Sequence, residues 1–209
     1  MKIKYPRTFH LPWSKTISND DKILKNLDHF LDQEVVVTLK LDGENTTLGR
    51  DYSHARSLDG SPHPSRDWLK NFHATFSHEI PKGFRVCGEN LYAKHSIHYS
   101  NLKSYLYVFS IWNDKNEALS WDETIEWCSL LGLCHVPVLY RGLWDEGVIK
   151  SLYKESFQGN QMEGYVVRLA RSFHYDDFNK SIAKMVREHH VQTLEHWKHQ
   201  EIIPNKLQS

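Results

Sequence analysis

At 209 residues the chain is long enough for one domain, or a main domain with a small appendage, and its 40% hydrophobic and 12% aromatic content can fill a core. That excludes a disordered chain. The 26 basic residues cancel the 26 acidic ones, which excludes a generic polyanion binder, so any nucleic-acid contact must come from local clustering. No run of about 18 apolar residues is present to span a membrane. No apolar stretch follows the charged N-terminus as in a secretory signal. Cys87, Cys128 and Cys134 have no Cys-x-x-Cys spacing. They argue against a disulfide framework or a cysteine zinc site and for a reducing cytoplasm. The 14 histidines would make the chain net positive near pH 6.

In chain order, residues 21–32 place Ile23, Leu24, Leu27, Phe30 and Leu31 at helical spacing behind Asp20 or Asp21, and predict a helix. Glu34 to Leu39 is β-branched and reads as a buried strand. Gly43 breaks it and Asn45 to Leu48 resumes it, which predicts a hairpin. Ser65 opens a helix with Trp68, Leu69, Phe72 and Phe76 on one face. Phe84–Cys87 and Tyr105–Trp112 read as strands. Ser120-Trp-Asp-Glu123 is a capping box, with Gly132 as the C-terminal stop of that helix. Val136 to Tyr140 is a strand whose Pro137 points to a sheet edge. Residues 145–157 read as helical, Gly164–Leu169 and Ser181–Val186 as strands, and 188–200 as a closing helix. Short strands with interspersed helices, without strict βα alternation, predict an α+β fold of largely antiparallel sheets. The expected organisation is a single domain over 1–209. It comprises an N-terminal segment and helix (1–33), a core (34–187) and a short helical C-terminal piece (188–209).

The chemistry concentrates at strand ends. Lys40-Leu-Asp-Gly-Glu-Asn45 puts a lysine at the end of an apolar strand directly before a glycine turn. The strand fixes its stem and the turn exposes its amine, as a lysine nucleophile requires. Alone, the hexapeptide reads more simply as a surface lysine beside a turn. Cys87-Gly-Glu-Asn90, Glu163-Gly-Tyr-Val-Val-Arg168 and Ala183-Lys-Met-Val-Arg187 add Glu89, Glu163 and Lys184 at further strand ends. Two carboxylates and two lysines so placed suit a nucleotide and a hard divalent metal.

This ordered set resembles the covalent nucleotidyltransferases, the polynucleotide ligases and mRNA capping enzymes, and within them the ATP-dependent RNA ligases. Lys40-Leu-Asp-Gly matches their Lys-x-Asp-Gly motif, which implies that Lys40 becomes linked to AMP. Asn45 matches an asparagine typical of RNA ligases, and Arg56, in His54-Ala-Arg-Ser57, matches the arginine motif that follows. The resemblance implies that Glu89 holds the ribose, that Phe109 in Val108-Phe-Ser-Ile111 stacks on adenine, and that Glu163 helps place the metal. Thr38, Leu39 and Lys184 complete the implied nucleotide site. The implied fold is an adenylation domain of two largely antiparallel sheets around a nucleotide pocket. The implied cofactors are ATP and Mg2+ or Mn2+. The implied reaction is self-adenylation, AMP transfer to an RNA 5′-phosphate, and sealing by a 3′-hydroxyl, as in RNA repair. A DNA ligase, a guanylyltransferase, or a non-catalytic nucleotide- or RNA-binding module are the alternatives.

Two features depart from the family. The last motif is usually Lys-x-Lys, but here it is Lys184-Met-Val-Arg187, and strand alternation turns Arg187 away from Lys184. The 22 residues after Arg187 are too few for an OB-fold or an added C-terminal domain, so a bare catalytic domain without an OB-fold is expected. The expected partners are RNA ends, with no membrane, and a helper protein that delivers RNA; a monomer is expected. Lys94, Lys103 and Arg187 are the candidate RNA contacts, although the segment Lys94–Lys103 reads equally as an ordinary polar loop. Ser57–Arg66 is rich in turn residues and is expected to form a flap beside Arg56. His189, His190, His196 and His199 on the closing helix suit a solvated or RNA-facing surface better than zinc. Trp68, Trp121 and Trp127 are expected in the core. The polar and aromatic stretch Arg7–Ser14 precedes the first helix; whether it dresses the active site is left open by the sequence.

Overall fold

The computed structural model describes residues 2–15, 21–58, 63–188 and 202–208. After a short strand β1 (Phe9–His10) come β2 (Glu34–Lys40), β3 (Glu44–Gly49), β4 (Tyr52–Ala55), helix α1 (Asp67–Phe76), β5 (Arg85–Asn90) and β6 (Leu106–Trp112). Then follow β7 (Glu117–Ala118), α2 (Trp121–Leu130), β8 (Cys134–His135), β9 (Val138–Leu143) and α3 (Glu146–Ser151). The last elements are β10 (Ser156–Phe157), β11 (Asn160–Gln161), β12 (Gly164–Leu169), β13 (Phe173–His174), α4 (Phe178–Ser181) and β14 (Ile182–Val186).

Two sheets carry the fold. One runs β1-β14-β12-β2-β9 and the other β13-β7-β6-β5-β3-β4, with β8 also on β6; β10 and β11 form a separate hairpin. Pairing is antiparallel except for β1 with β14 and β6 with β8. This is the α+β, largely antiparallel arrangement that the strand lengths predict, and neither sheet closes on itself among the described residues. The larger apolar cluster lies on and between the sheets, with Val35, Val37, Tyr165, Val167 and Trp112 at its centre. A second cluster joins α1 and α2 to the outer face of the β3-β5-β6 sheet through Leu48, Leu69, Phe76, Val86 and Cys128. Trp121 is buried, while Trp68 and Trp127 pack half-buried against the second cluster.

Several predicted elements form as read. Ser120 and Glu123 close the capping box of α2, and Gly132 follows its end at φ +66°. Strand β9, just after Pro137, lies at a sheet edge. Three predictions are corrected. Over 21–32 only the single turn Asp28–Phe30 is helical. The reason is that the Leu24 amide donates to His10 O and Ile23 bridges His10, so the backbone is committed to β1 before it can coil. Helix α3 stops at Ser151, and the rest of 145–157 leads into the β10–β11 hairpin. That hairpin turns through Gln158 and Gly159, both with positive φ. The third correction matters most for the site. β2 and β3 form no hairpin with each other: β2 pairs with β12 and β9, and β3 pairs with β4 and β5. The Leu41–Gly43 link therefore carries the chain from one sheet to the other. The predicted closing helix 188–200, with its histidines, lies almost wholly outside the described residues, and the chain at 202–208 is extended.

Candidate active site

The cavity between the two sheets follows from period-2 alternation. Along the first sheet Thr38 and Lys40 of β2, Val166 and Arg168 of β12, and Ile182 and Lys184 of β14 all line it. Their odd-numbered neighbours Val37, Tyr165, Val167 and Ala183 pack into the core instead. The facing sheet contributes Asn45, Glu89 and Phe109, and Arg56 and Val136 come from adjoining segments. A strap at the N-terminus, Tyr5 to Thr8, completes the wall. All eight residues expected at a nucleotide site, Thr38, Leu39, Lys40, Asn45, Arg56, Glu89, Phe109 and Lys184, thus line one cavity.

Glu163 joins them through Lys40. Register pairs Lys40 with Gly164, so Glu163 stands beside the lysine, and Lys40 Nζ donates to Glu163 Oε1 at 2.6 Å. Gly164 is required here, because a Cβ at that position would run into the Met185 carbonyl of β14. The carboxylate is 3% exposed and the lysine 25%. Burial alone would push the amine pKa down; Glu163, Glu89 and Asp42 outweigh it and the net shift is upward. The amine is therefore held as ammonium. Burial raises the Glu89 carboxyl to about 8, against the opposing pull of Lys40. Glu89 Oε1 also accepts the Gly43 amide at 3.1 Å, which ties the sheet-to-sheet link to β5.

Cations surround the rest of the cavity. Lys184 lies 3.6 Å from Asp21, and its pKa is lowered, mainly by burial and also by Lys40. Asp21 also faces buried His10, whose pKa burial and Lys184 lower to about 4. Arg168, 2% exposed, donates to the Leu119 and Leu169 carbonyls and lies over the Trp121 and Phe173 rings. Burial lowers its pKa to about 10. Among the described residues, three buried atoms of the cavity find no hydrogen-bond partner: Asn45 Oδ1, Arg56 Nε and Arg168 Nη1. Unpaired polar atoms in an apolar setting are costly, so such a cavity favours a polar ligand.

Lys94, Lys103 and Arg187 are not among the cavity residues. Lys94 and Lys103 are exposed on the loop after β5, and Arg187 donates to Gln161 Oε1 at 3.1 Å. Val186, at the family's second lysine position, is buried. Of the flap segment, residues 59–62 are outside the description; beyond them Arg66 makes a two-point ion pair with Glu44. Sequence reasoning left Arg7 and Thr8 open and missed Tyr5 and Pro6, for which no local signal exists, and Arg168. Alternation from Val166 would have put Arg168 on the cavity face.

Solved structures share this fold. The Naegleria gruberi RNA ligase with PPi superposes with a TM-score of 0.60 at 20% identity, over 89% of this chain and 61% of that one. A variant of the same ligase with ATP and Mn gives 0.58 at 16% identity, over 88% and 60%. A variant with AMP and Mn gives 0.56 at 16%, over 88% and 57%. The chain thus spans about 60% of the length of those proteins, and at these identities the likeness is one of fold: the adenylation domain of RNA ligases. The RNA ligase family model matches residues 33–186, nearly three quarters of the chain, and the chain belongs to that family. No curated protein matches it.

Proposed function

We propose that the chain is an ATP-dependent RNA ligase in which Lys40 is the site of covalent adenylation. The observation that carries this reading is the placement of Lys40 on Glu163, at the wall of a cavity lined by the nucleotide-site residues named above. The Lys40 ammonium passes one proton to its partner Glu163; the neutral amine attacks the α-phosphorus of ATP, a P–N bond forms, the bond to the β-phosphate oxygen breaks, and pyrophosphate leaves with the second proton. The AMP then passes to an RNA 5′-phosphate and frees Lys40. A 3′-hydroxyl displaces AMP and seals the strand. Such in-line chemistry depends on positioning and charge neutralisation.

Within this reading Phe109 stacks on adenine, Glu89 holds the ribose, and Asn45, Arg56 and Lys184 face the phosphates. The backbone of Thr38 and Leu39 borders the base. Among the described residues no three His, Cys, Asp or Glu side chains form a ready cage for a metal. The nearby Glu163 and Glu89 carboxylates suit a divalent ion shared with phosphate oxygens and water. When bound, such an ion neutralises developing phosphate charge. The chain's own part is to hold the Lys40 amine against Glu163 until nucleotide and cation arrive, and to keep bulk water off it. RNA is held at the rim by Lys94, Lys103 and Arg187, with a partner protein supplying the ends. We assign the work to a monomeric single domain in a reducing compartment such as the cytoplasm, which the three free thiols suit. No helix among the described residues is long and apolar enough to cross a membrane.

The test is incubation with α-labelled ATP and magnesium. Label should appear on the wild-type protein and be lost in Lys40→Ala and Lys40→Arg, both folded by circular dichroism. Full labelling of either variant would overturn the assignment of Lys40, and an unlabelled wild type would overturn the reaction.

A further inference from the structure

The C-terminal residues 202–208 never reach the cavity, yet they are stitched into the loop that follows β5. Lys94 N donates to Ile203 O at 2.8 Å, Lys206 N to Tyr99 O at 2.9 Å, Leu102 N to Lys206 O at 3.0 Å, and Gln208 N to Leu102 O at 2.8 Å. Asn205 is the centre of this seam and is 1% exposed. Its Oδ1 accepts the Tyr99 amide at 2.8 Å and its Nδ2 donates to Leu91 O at 2.7 Å. Its backbone N donates to Tyr92 O at 2.9 Å, and its carbonyl accepts the Tyr105 hydroxyl at 3.0 Å. Four polar groups of one buried residue thus bond to residues 91–105, which fixes this segment to the loop.

The other side of the same loop holds the link between the sheets. Asp42 Oδ2 accepts Ser96 N at 2.8 Å, Ser96 Oγ at 2.6 Å and Ile97 N at 2.8 Å. The Asp42 amide donates to the Tyr99 hydroxyl at 3.0 Å. Tyr99 therefore receives the tail on its backbone and the Leu41–Gly43 link on its side chain. Asp42 is two residues past Lys40, and Gly43 is tied to Glu89.

We propose that residues 202–208 act as a strap that positions Lys40 through the sequence Asn205, Tyr99, Asp42. Asn205 and Tyr99 are positioning residues, since neither lines the nucleotide cavity. The physical basis is that a carboxylate held by three donors and a turn amide held by a buried hydroxyl have one arrangement while the loop is fixed. Loosening the loop releases both at once. The proposal rests on Lys40 being the adenylated residue.

The test uses the full chain with Asn205→Ala, Tyr99→Phe and the double variant, each held well below its melting temperature. Three readouts are taken: the single-turnover rate of labelling by α-labelled ATP, the equilibrium dissociation constant for ATP, and amide hydrogen exchange over residues 40–43 and 91–99. We expect Asn205→Ala to slow labelling about tenfold or more, with less than a twofold change in ATP affinity and faster exchange at Asp42 and Gly43. Tyr99→Phe, which removes one oxygen and keeps the ring, should slow labelling in the same way. The double variant should be no slower than the worse single one, as expected of two residues acting through one relay. Val86→Ala, which loosens the second core cluster, serves as the matched control and should label at the wild-type rate per folded molecule. Unchanged exchange at Asp42 and Gly43 in Asn205→Ala would overturn the strap even if Asn205→Ala labels poorly. So would single effects that multiply in the double variant. If Asn205→Ala does not fold, Tyr99→Phe decides the matter by the same readouts. If the wild type takes no label, the reading of Lys40 fails, while the exchange measurement still reports whether the tail holds the link.

Discussion

At one end of the cavity Lys40 is matched to Glu163 and Lys184 to Asp21; at the other, Arg168 is buried between Trp121 and Phe173 with no ion pair among the described residues. The first end is neutralised by its own side chains, so on the proposed reading a nucleotide has to displace ion pairs there and a cation has to take over part of their role. The second end carries a guanidinium with no ion pair, and with its buried Nη1 lacking a hydrogen-bond partner, among the described residues. It gains by accepting a ligand, because the desolvation of those groups has already occurred in the folded protein. Perturbing the first end should therefore alter chemistry and stability together, and perturbing the second should alter affinity.

The largest effect belongs to Lys40. Lys40→Ala should lower labelling below detection, and it also leaves Glu163 buried without its cation. Breaking a buried pair from one side costs about 3–5 kcal/mol at full burial, and less here because the lysine is partly exposed. A melting experiment should show that loss, and Lys40→Ala with Glu163→Gln should recover part of it. If the double variant melts no higher than Lys40→Ala, the pair does not hold the end together.

Glu163→Gln keeps the shape and removes the charge. Its labelling defect should grow as magnesium is lowered, read as a rate across a magnesium titration. A defect independent of magnesium would make Glu163 an anchor for Lys40 alone.

Phe109 lines the same cavity, with its ring 5.1 Å from that of Tyr5. Stacking a base on an aromatic side chain contributes about 1–3 kcal/mol, so Phe109→Ala should weaken ATP binding from severalfold to about a hundredfold, and Phe109→Tyr should be nearly silent. Equal ATP affinity in the alanine variant would remove Phe109 from the base site.

Glu89 supplies the pH test. Its folded pKa, about 8, lies above the usual 4.5 because burial disfavours the carboxylate. The folded state thus holds a proton that the unfolded state releases. The contribution to stability is full below about pH 4.5 and is lost as pH rises through about 8. Melting of the nucleotide-free protein between pH 5 and 9 should show this decline, and Glu89→Gln should flatten it. An unchanged slope in the variant would assign the decline to other groups.

Which parts of this design were legible in the sequence follows from the range of the signals. Lys40, Glu89 and Glu163 sit at or beside strand ends, Lys184 sits in the middle of β14 rather than at its end as expected, and a strand is recognised from five or six neighbouring residues. The pairing of β2 was not legible, because a glycine turn between two strands looks the same whether the chain folds back or crosses to another sheet. What decides is Asp42 gripping Ser96 and Ile97, over 50 residues away. The apolar spacing over 21–32 looked helical, but Leu31 is exposed and the Leu24 backbone belongs to His10. Arg168 was readable by alternation. Tyr5 and Asn205 were not, since each acts through partners about 100 residues away or more.

The smallest expected effect lies outside the cavity. Lys94 and Lys103 are exposed on the outer side of the loop that the C-terminal strap holds, while Ile97, Tyr99 and Leu102 of the same loop face inward. With a net charge near zero the RNA footprint should rest on few phosphates. Each phosphate contact contributes a salt slope of about −0.7 for a single strand or −0.9 for duplex. On the proposed reading ATP is enclosed between the sheets and RNA is held at the rim, so labelling by ATP should survive added salt that already slows sealing. Lys94→Ala and Lys103→Ala should each make the RNA-binding slope shallower by about one contact and leave the labelling rate unchanged. Measuring both steps across one salt series separates the two regions. A slope corresponding to eight or more phosphates would reveal a broad basic surface beyond these two lysines. An unchanged slope in both variants would return this loop to the purely structural role that its inner face already fills.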